Sequence, residues 1–190
     1  MKKLFFTAIC LLAAILVISC ASTGKKERQV DSRIPPAIRE VIRNAPEDAL
    51  VGVGTARMST LSQSRTISQT RARAEISRQM STLISDMVSD YTASSEIDHS
   101  ATISFQQNIT VALSRSRLQG ASIIEEVEDA NGNYWTVVML NKTSTVNEIN
   151  QAVAAAKLAV PAMASFNAEA RMNDAFDKFV GTTEVGFSDR

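Results

Sequence analysis

The chain has 190 residues, with 45% apolar and 21% charged side chains and a formal net charge of zero. That composition suits one globular domain of ordinary size, and the charge balance argues against a nucleic-acid partner, which calls for a basic face. Its two cysteines, Cys10 and Cys20, both lie in the first twenty residues.

Met1–Ser19 reads as a targeting segment. Lys2 and Lys3 supply a positive start, and Leu4–Ile18 is almost wholly apolar and uncharged. Such a stretch is too short to span a bilayer comfortably and fits a signal-peptide core. It ends in Val17-Ile18-Ser19-Cys20, which resembles the lipobox of bacterial lipoproteins. The resemblance implies a diacylglycerol on the Cys20 thiol, cleavage before Cys20 and acylation of the new amino terminus. Several acyl chains together hold a protein at a membrane, whereas one does so marginally, at about 0.8 kcal/mol per buried methylene. Cleavage there leaves 171 residues with 18 basic against 20 acidic side chains. The mature chain keeps one cysteine, the lipidated one, so neither an internal disulfide nor a cysteine metal site is expected. No second apolar stretch is long enough to cross a membrane. Ala21 stands where an aspartate favours inner-membrane retention in enteric bacteria, which leans the expected location toward the outer membrane.

Residues 20–33 are polar, with the run Lys25-Lys26-Glu27-Arg28, and read as a flexible tether reaching roughly 40 Å at most. Pro35 and Pro36 mark the edge of a domain over 34–180, with a short helix over Ala37–Arg43 and a turn at Ala45–Asp48.

The organising unit follows. Leu50–Ala56 reads as a strand with Val51 and Val53 on one face and Gly52 and Gly54 on the other. Two glycines at alternate strand positions predict a close approach by a helix or another backbone. A phosphate loop is disfavoured, because Arg57 stands where a dinucleotide fingerprint needs its third glycine. Thr60 and Gln63 form a capping box for a helix to about Tyr91. Its buried stripe is Ala72, Ile76, Met80, Leu83, Ile84, Met87 and Tyr91. The methionines read as core filler rather than ligand surface.

Thr92–Ala101 is small and polar and reads as a loop holding the single histidine, His99, exposed and without a catalytic role. Phe105, Ile109, Ala112 and Leu113 suggest a shorter helix to about Arg117, with a strand as the competing assignment because Ile109, Val111 and Leu113 alternate. Ala121, Ile123 and Val127 alternate with polar neighbours except at Glu125, and Asn131-Gly132 turns the chain into Tyr134–Leu140. This return strand is apolar on both faces, so one face needs the long helix and the other needs helical cover or another subunit. A last stripe, Val146, Ile149, Val153, Ala156 and Val160, makes a C-terminal helix that Pro161 interrupts, with helical structure resuming through Phe179. Residues 181–190 read as a disordered tail. The fold class is α+β: a small three-stranded antiparallel sheet packed by a long helix and a C-terminal helix.

Gly52, Gly54 and Ala56, the run Thr70-Arg71-Ala72-Arg73-Ala74-Glu75-Ile76, the step Leu118, Gly120 and Ala121, and the Asn-Gly hairpin with Tyr134 together resemble the Lpp-twenty family of small bacterial outer-membrane lipoproteins. The match covers about Pro35–Val160. It implies a compact α+β domain on a lipid anchor, with no catalytic residues, no cofactor and no metal. Some relatives assemble around the flagellar motor; others are surface antigens. Lipidation at Cys20 is therefore the one expected site, and the expected partners are the membrane and envelope proteins or a second copy. A carrier of a small apolar ligand is the alternative, and an enzyme is not expected, since no nucleophile, base and orienting group stand at a telling spacing.

Overall fold

The computed structural model describes residues 28–116, 118–180 and 185. Cys20, the signal segment and the first part of the expected tether lie outside these residues, as does the expected tail except Val185. The elements are α1 (Pro36–Asn44), β1 (Ala49–Ala56), α2 (Leu61–Thr92), α3 (His99–Arg115), β2 (Ser122–Glu128), β3 (Tyr134–Asn141), α4 (Lys142–Ala159), a 3-10 turn (Pro161–Met163) and α5 (Ala168–Val180). The fold is α+β. Its three-stranded sheet has the order β1-β3-β2 and is antiparallel throughout.

The two strand glycines stand opposite Val138 and Thr136 of β3, on the face that α2 covers. A Cβ built at Gly52 would overlap the carbonyl oxygen of Ala72, and one built at Gly54 the carbonyl oxygen of Ser68. The helix backbone therefore rests on the strand with no side chain between them. The glycines sit inside β1 and not in a loop, so they make a packing contact. On α2 the matching stripe is small: Ser64, Ser68 and Ala72 are all buried at four-residue steps. From Ile76 onward the stripe is large, with Met80, Leu83, Ile84, Met87 and Val88 packed against α3, α4 and α5. Tyr91, expected in the same stripe, is only partly buried; its ring meets Phe166 edge-on at 5.3 Å.

Half of the expected capping box forms. Thr60 Oγ1 accepts from the Gln63 N–H at 3.3 Å, but the Gln63 side chain turns to the Ser59 hydroxyl at 3.0 Å instead of the cap N–H.

The second face of the sheet is closed by α1. Ile34, Ile38 and Ile42 are 1% exposed or less and pack on Val51, Val53, Trp135 and Val137. The doubly apolar β3 thus finds its helical cover within the chain. Each such isoleucine is worth roughly 1.5–3 kcal/mol of burial.

Three expectations are corrected. His99 is not in a loop: it opens α3, a helix whose buried residues Thr102, Phe105, Ile109 and Leu113 leave Val111 exposed. The alternation along β2 is broken by a register shift between Ile123 and Glu125, so Ile123 opposes Val138 while Val127 opposes Trp135, on the other face. One extra residue flips every later side chain. The tether expected to run to Arg33 is packed from Arg28 on. Arg28 donates to the carbonyls of Pro46 (2.6 Å) and Ala49 (2.7 Å), and Val30 forms a parallel bridge with Val185. Val185 is itself buried against the α1 side of the sheet.

The outer edge of β1 is closed by side chains. Its carbonyls at Ala49, Val51 and Thr55 accept from Arg28, from Gln79 Nε2 at 2.9 Å and from Arg71 at 2.6 Å. An edge so covered does not invite another strand.

Gly52→Ala should lower unfolding stability by about 3 kcal/mol or more, because the new methyl meets helix backbone that has no room to move. A urea titration followed by circular dichroism measures it, and a loss under about 1 kcal/mol would show that α2 can lift off β1.

Candidate functional site

Three groups of polar side chains converge among the described residues. The first joins α2 to the hairpin. Glu126 of β2 accepts from Gln69 Nε2 at 2.7 Å and pairs with Arg65 at 2.6 Å. Thr136 Oγ1 reaches the same carboxylate at 3.4 Å and lies 2.7 Å from Ser68 Oγ. Desolvation works to raise the Glu126 pKa, but the bonds from Gln69 and Arg65 outweigh it and hold the carboxyl below its usual range. Desolvation and the neighbouring Glu126 charge push the Tyr134 phenol up. Ser68 and Thr136 are fully buried, so neither hydroxyl can meet a substrate, and the Glu126 oxygens are already engaged. The cluster stitches the helix to the sheet. It went unseen in the sequence because the β2 bulge is what turns Glu126 toward α2; the broken alternation at Glu125 was its only trace.

The second group lies between α3 and α4. Glu148, 7% exposed, accepts from the Ser116 hydroxyl and from the Gln119 N–H at 2.6 Å. It fixes the turn that leads into β2, where Leu118 adopts a left-handed φ of 47° and Gly120 one of 89°. A cleft of about 370 Å³ beside it is bordered by Arg115 and Gln151.

The third is Asp129 at the hairpin turn. It accepts from the N–H groups of Asn131 and Asn133, both at 2.9 Å, from Asn133 Nδ2 at 2.9 Å and from Trp135 Nε1 at 3.0 Å. Desolvation opposes its ionisation, yet these donors prevail and bring its pKa down to about 2.

His99 stands exposed at the start of α3, while its neighbour Ser100 donates to Asp98. These three adjacent residues do not assemble around a common point. Among the described residues no group of three or more His, Cys, Asp or Glu side chains could hold a metal ion, and no described helix is long and apolar enough to cross a membrane. The buried methionines Met80, Met87, Met163 and Met172 are all 1% exposed or less, and act as core filler. The cavity that reaches the β1 edge, bordered by Arg28, Gln79 and Phe179, measures about 20 Å³, the space of about one water.

A wide, open groove lies between α2 and α3. Its two lobes, about 750 and 680 Å³, share Ser81, Thr82 and Thr110. Small side chains of α2 line it, and Ile103 and Val111 of α3 stand beside it, 42% and 46% exposed. The periodicity of α2 leaves these residues off its buried stripe and gives no sign of a groove.

A scan against protein-family models and searches of the curated proteins and of the solved structures give no match.

The Asp129 carboxyl titrates lower in the folded chain than in the unfolded one, where it lies near 3.8. Its contribution to stability is therefore complete above about pH 4 and is lost as the pH falls toward about 2. Asp129→Asn should flatten the acid limb of a stability–pH curve in that window, with Trp135 fluorescence as the readout; an unchanged limb would mean the turn is not held by the ionised carboxyl.

Proposed function

We propose that this chain is a lipid-anchored lipoprotein of the bacterial outer membrane, of the Lpp-twenty type, that works by holding proteins together and not by turnover. The observation that carries this reading is the sequence Val17-Ile18-Ser19-Cys20 behind a basic start and an apolar core. Acyl chains on Cys20 fix the amino end in a bilayer. Seven residues lie between Cys20 and Arg28, the first packed residue among those described, so Arg28 is kept within roughly 30 Å of the anchor. The convergent polar groups support the same reading, since their hydrogen bonds are spent within the fold, Glu126 tying β2 to α2 and Glu148 and Asp129 fixing turns. A structural part of the flagellar base is the narrower form of this proposal, drawn from the family resemblance.

A carrier of a small apolar ligand is the second reading. The methionine stripe is its one support in the sequence, but those methionines fill the core, and the backbone of α2 lies directly on the glycine face of β1. The assembly role is therefore preferred.

Labelled palmitate should enter the wild-type protein and not a Cys20→Ala variant; equal labelling of both, or of neither, removes the anchor. For the narrower form, deleting the gene should abolish swimming, and normal motility with intact motors would discard it.

A further inference from the structure

The charges of α2 run against its own dipole. A helix carries partial positive charge at its amino end and partial negative charge at its carboxyl end, so acids favour the start and bases the finish. Here the first turn has no acid and the last turn no base. Arg65, Arg71, Arg73 and Arg78 lie in the first eighteen residues with Glu75 alone opposing them, and the last fourteen carry only Asp86 and Asp90. Two of the arginines are committed inside the domain, Arg65 to Glu126 and Arg71 to the Thr55 carbonyl. Arg73 and Arg78 border the groove, and Arg78 also pairs with Glu75. Asp86 and Asp90 have no ion-pair partner among the described residues.

This pattern becomes favourable if a second α2 lies alongside in the opposite direction. With the two-fold axis at Thr82, Arg78 is four residues to one side and Asp86 four residues to the other, so each arginine of one copy meets an aspartate of the other, twice. Asp90, by contrast, faces α5 beside Arg171 and takes no part in this pairing. The two helix dipoles are then antiparallel. Shape agrees with charge. Ala74, Arg78, Thr82 and Asp86 make an exposed ridge at four-residue spacing, and Ser77, Ser81 and Ser85 beside it are small enough to let the ridge of another helix settle between α2 and α3. Ile103 and Val111 would then leave water.

We infer that the α2–α3 groove is an isologous interface between two copies of this chain, centred on Thr82, with Arg78 of each copy facing Asp86 of the other. The inference gives the proposed assembly role its first partner, and so rests on that role, but it is tested separately from the anchor.

The test is cross-linking of the full-length protein in its own membranes. Thr82→Cys places an exposed thiol on the axis, and a short bis-maleimide should join two copies into a species of twice the mass. Wild type and Ala154→Cys, the latter exposed on α4, should give none. Arg78→Asp in the Thr82→Cys background should cut the dimer yield about tenfold at limiting concentration, as two lost attractions and two new repulsions imply. Adding Asp86→Arg should restore it, an outcome that a damaged fold cannot produce. A monomeric Thr82→Cys protein, equal cross-linking at position 154, a product with a different protein, or no rescue by the charge swap would each overturn the inference. Palmitate incorporation read on the same samples separates the two proposals. Labelled protein without cross-links sinks the dimer alone, and cross-linked protein without label sinks the anchor alone.

Discussion

The contact between the α2 backbone and the glycine face of β1 governs the rest of the architecture. With Gly52 and Gly54 under Ala72 and Ser68, the amino half of α2 is drawn down until carbonyl oxygens lie over the strand. That leaves no layer of side chains there to bury, so the apolar content of the stripe is displaced to the other half of the helix, beyond Ile76. A 32-residue helix on strands of seven or eight residues must overhang its sheet. The overhang is what α3, α4 and α5 surround. Phe166 marks the far end of that core, meeting Tyr91 at 5.3 Å and Phe105 at 5.5 Å, both edge to face. The molecule is thus a tight sheet–helix sandwich at one end and a helical cluster at the other, with α2 common to both.

Much of this was legible in the sequence because the signals were local. Alternating glycines asked for a close neighbour, Asn131-Gly132 asked for a hairpin, and the spacing from Ile76 to Met87 asked for a buried helical face. The amino half of the same helix was not legible. Ser64 and Ser68 are buried because their partner has no side chains, yet a serine at a helical position reads as solvated unless that partner is known. Likewise the extra residue in β2 inverted the faces of Ile123 and Val127, and nothing before the register is known fixes where a bulge falls. The spacing of Phe105, Ile109 and Leu113 does mark α3 as a helix, and Val111, whose alternation with Ile109 and Leu113 mimics a strand, is simply on its outer side.

The candidate sites were less legible than the fold, for a reason that is general. Glu126, Ser68 and Thr136 are brought together from positions 58 and 10 residues apart by the pairing of β2 with β3 and the seating of α2, and no spacing rule connects them. The resemblance of Val17–Cys20 to a lipobox is local to four residues and needs no fold to be read. Burial then distinguishes structural from functional polarity. Groups that converge at Ser68, Glu148 and Asp129 are spent within the fold, while Asp86 beside the groove has no ion pair among the described residues.

The joining of Val30 to Val185 bears on mechanics. Among the described residues, tension from the amino side meets first Arg28, which donates to the carbonyls of Pro46 and Ala49 at the foot of β1, and then the bridge from Val30 to Val185. Load entering there is shared between the first strand and the last segment before it can peel α1 from the sheet. Val30 and Val185 so form a clasp, and a pull from the amino side must break it before it can peel α1 away.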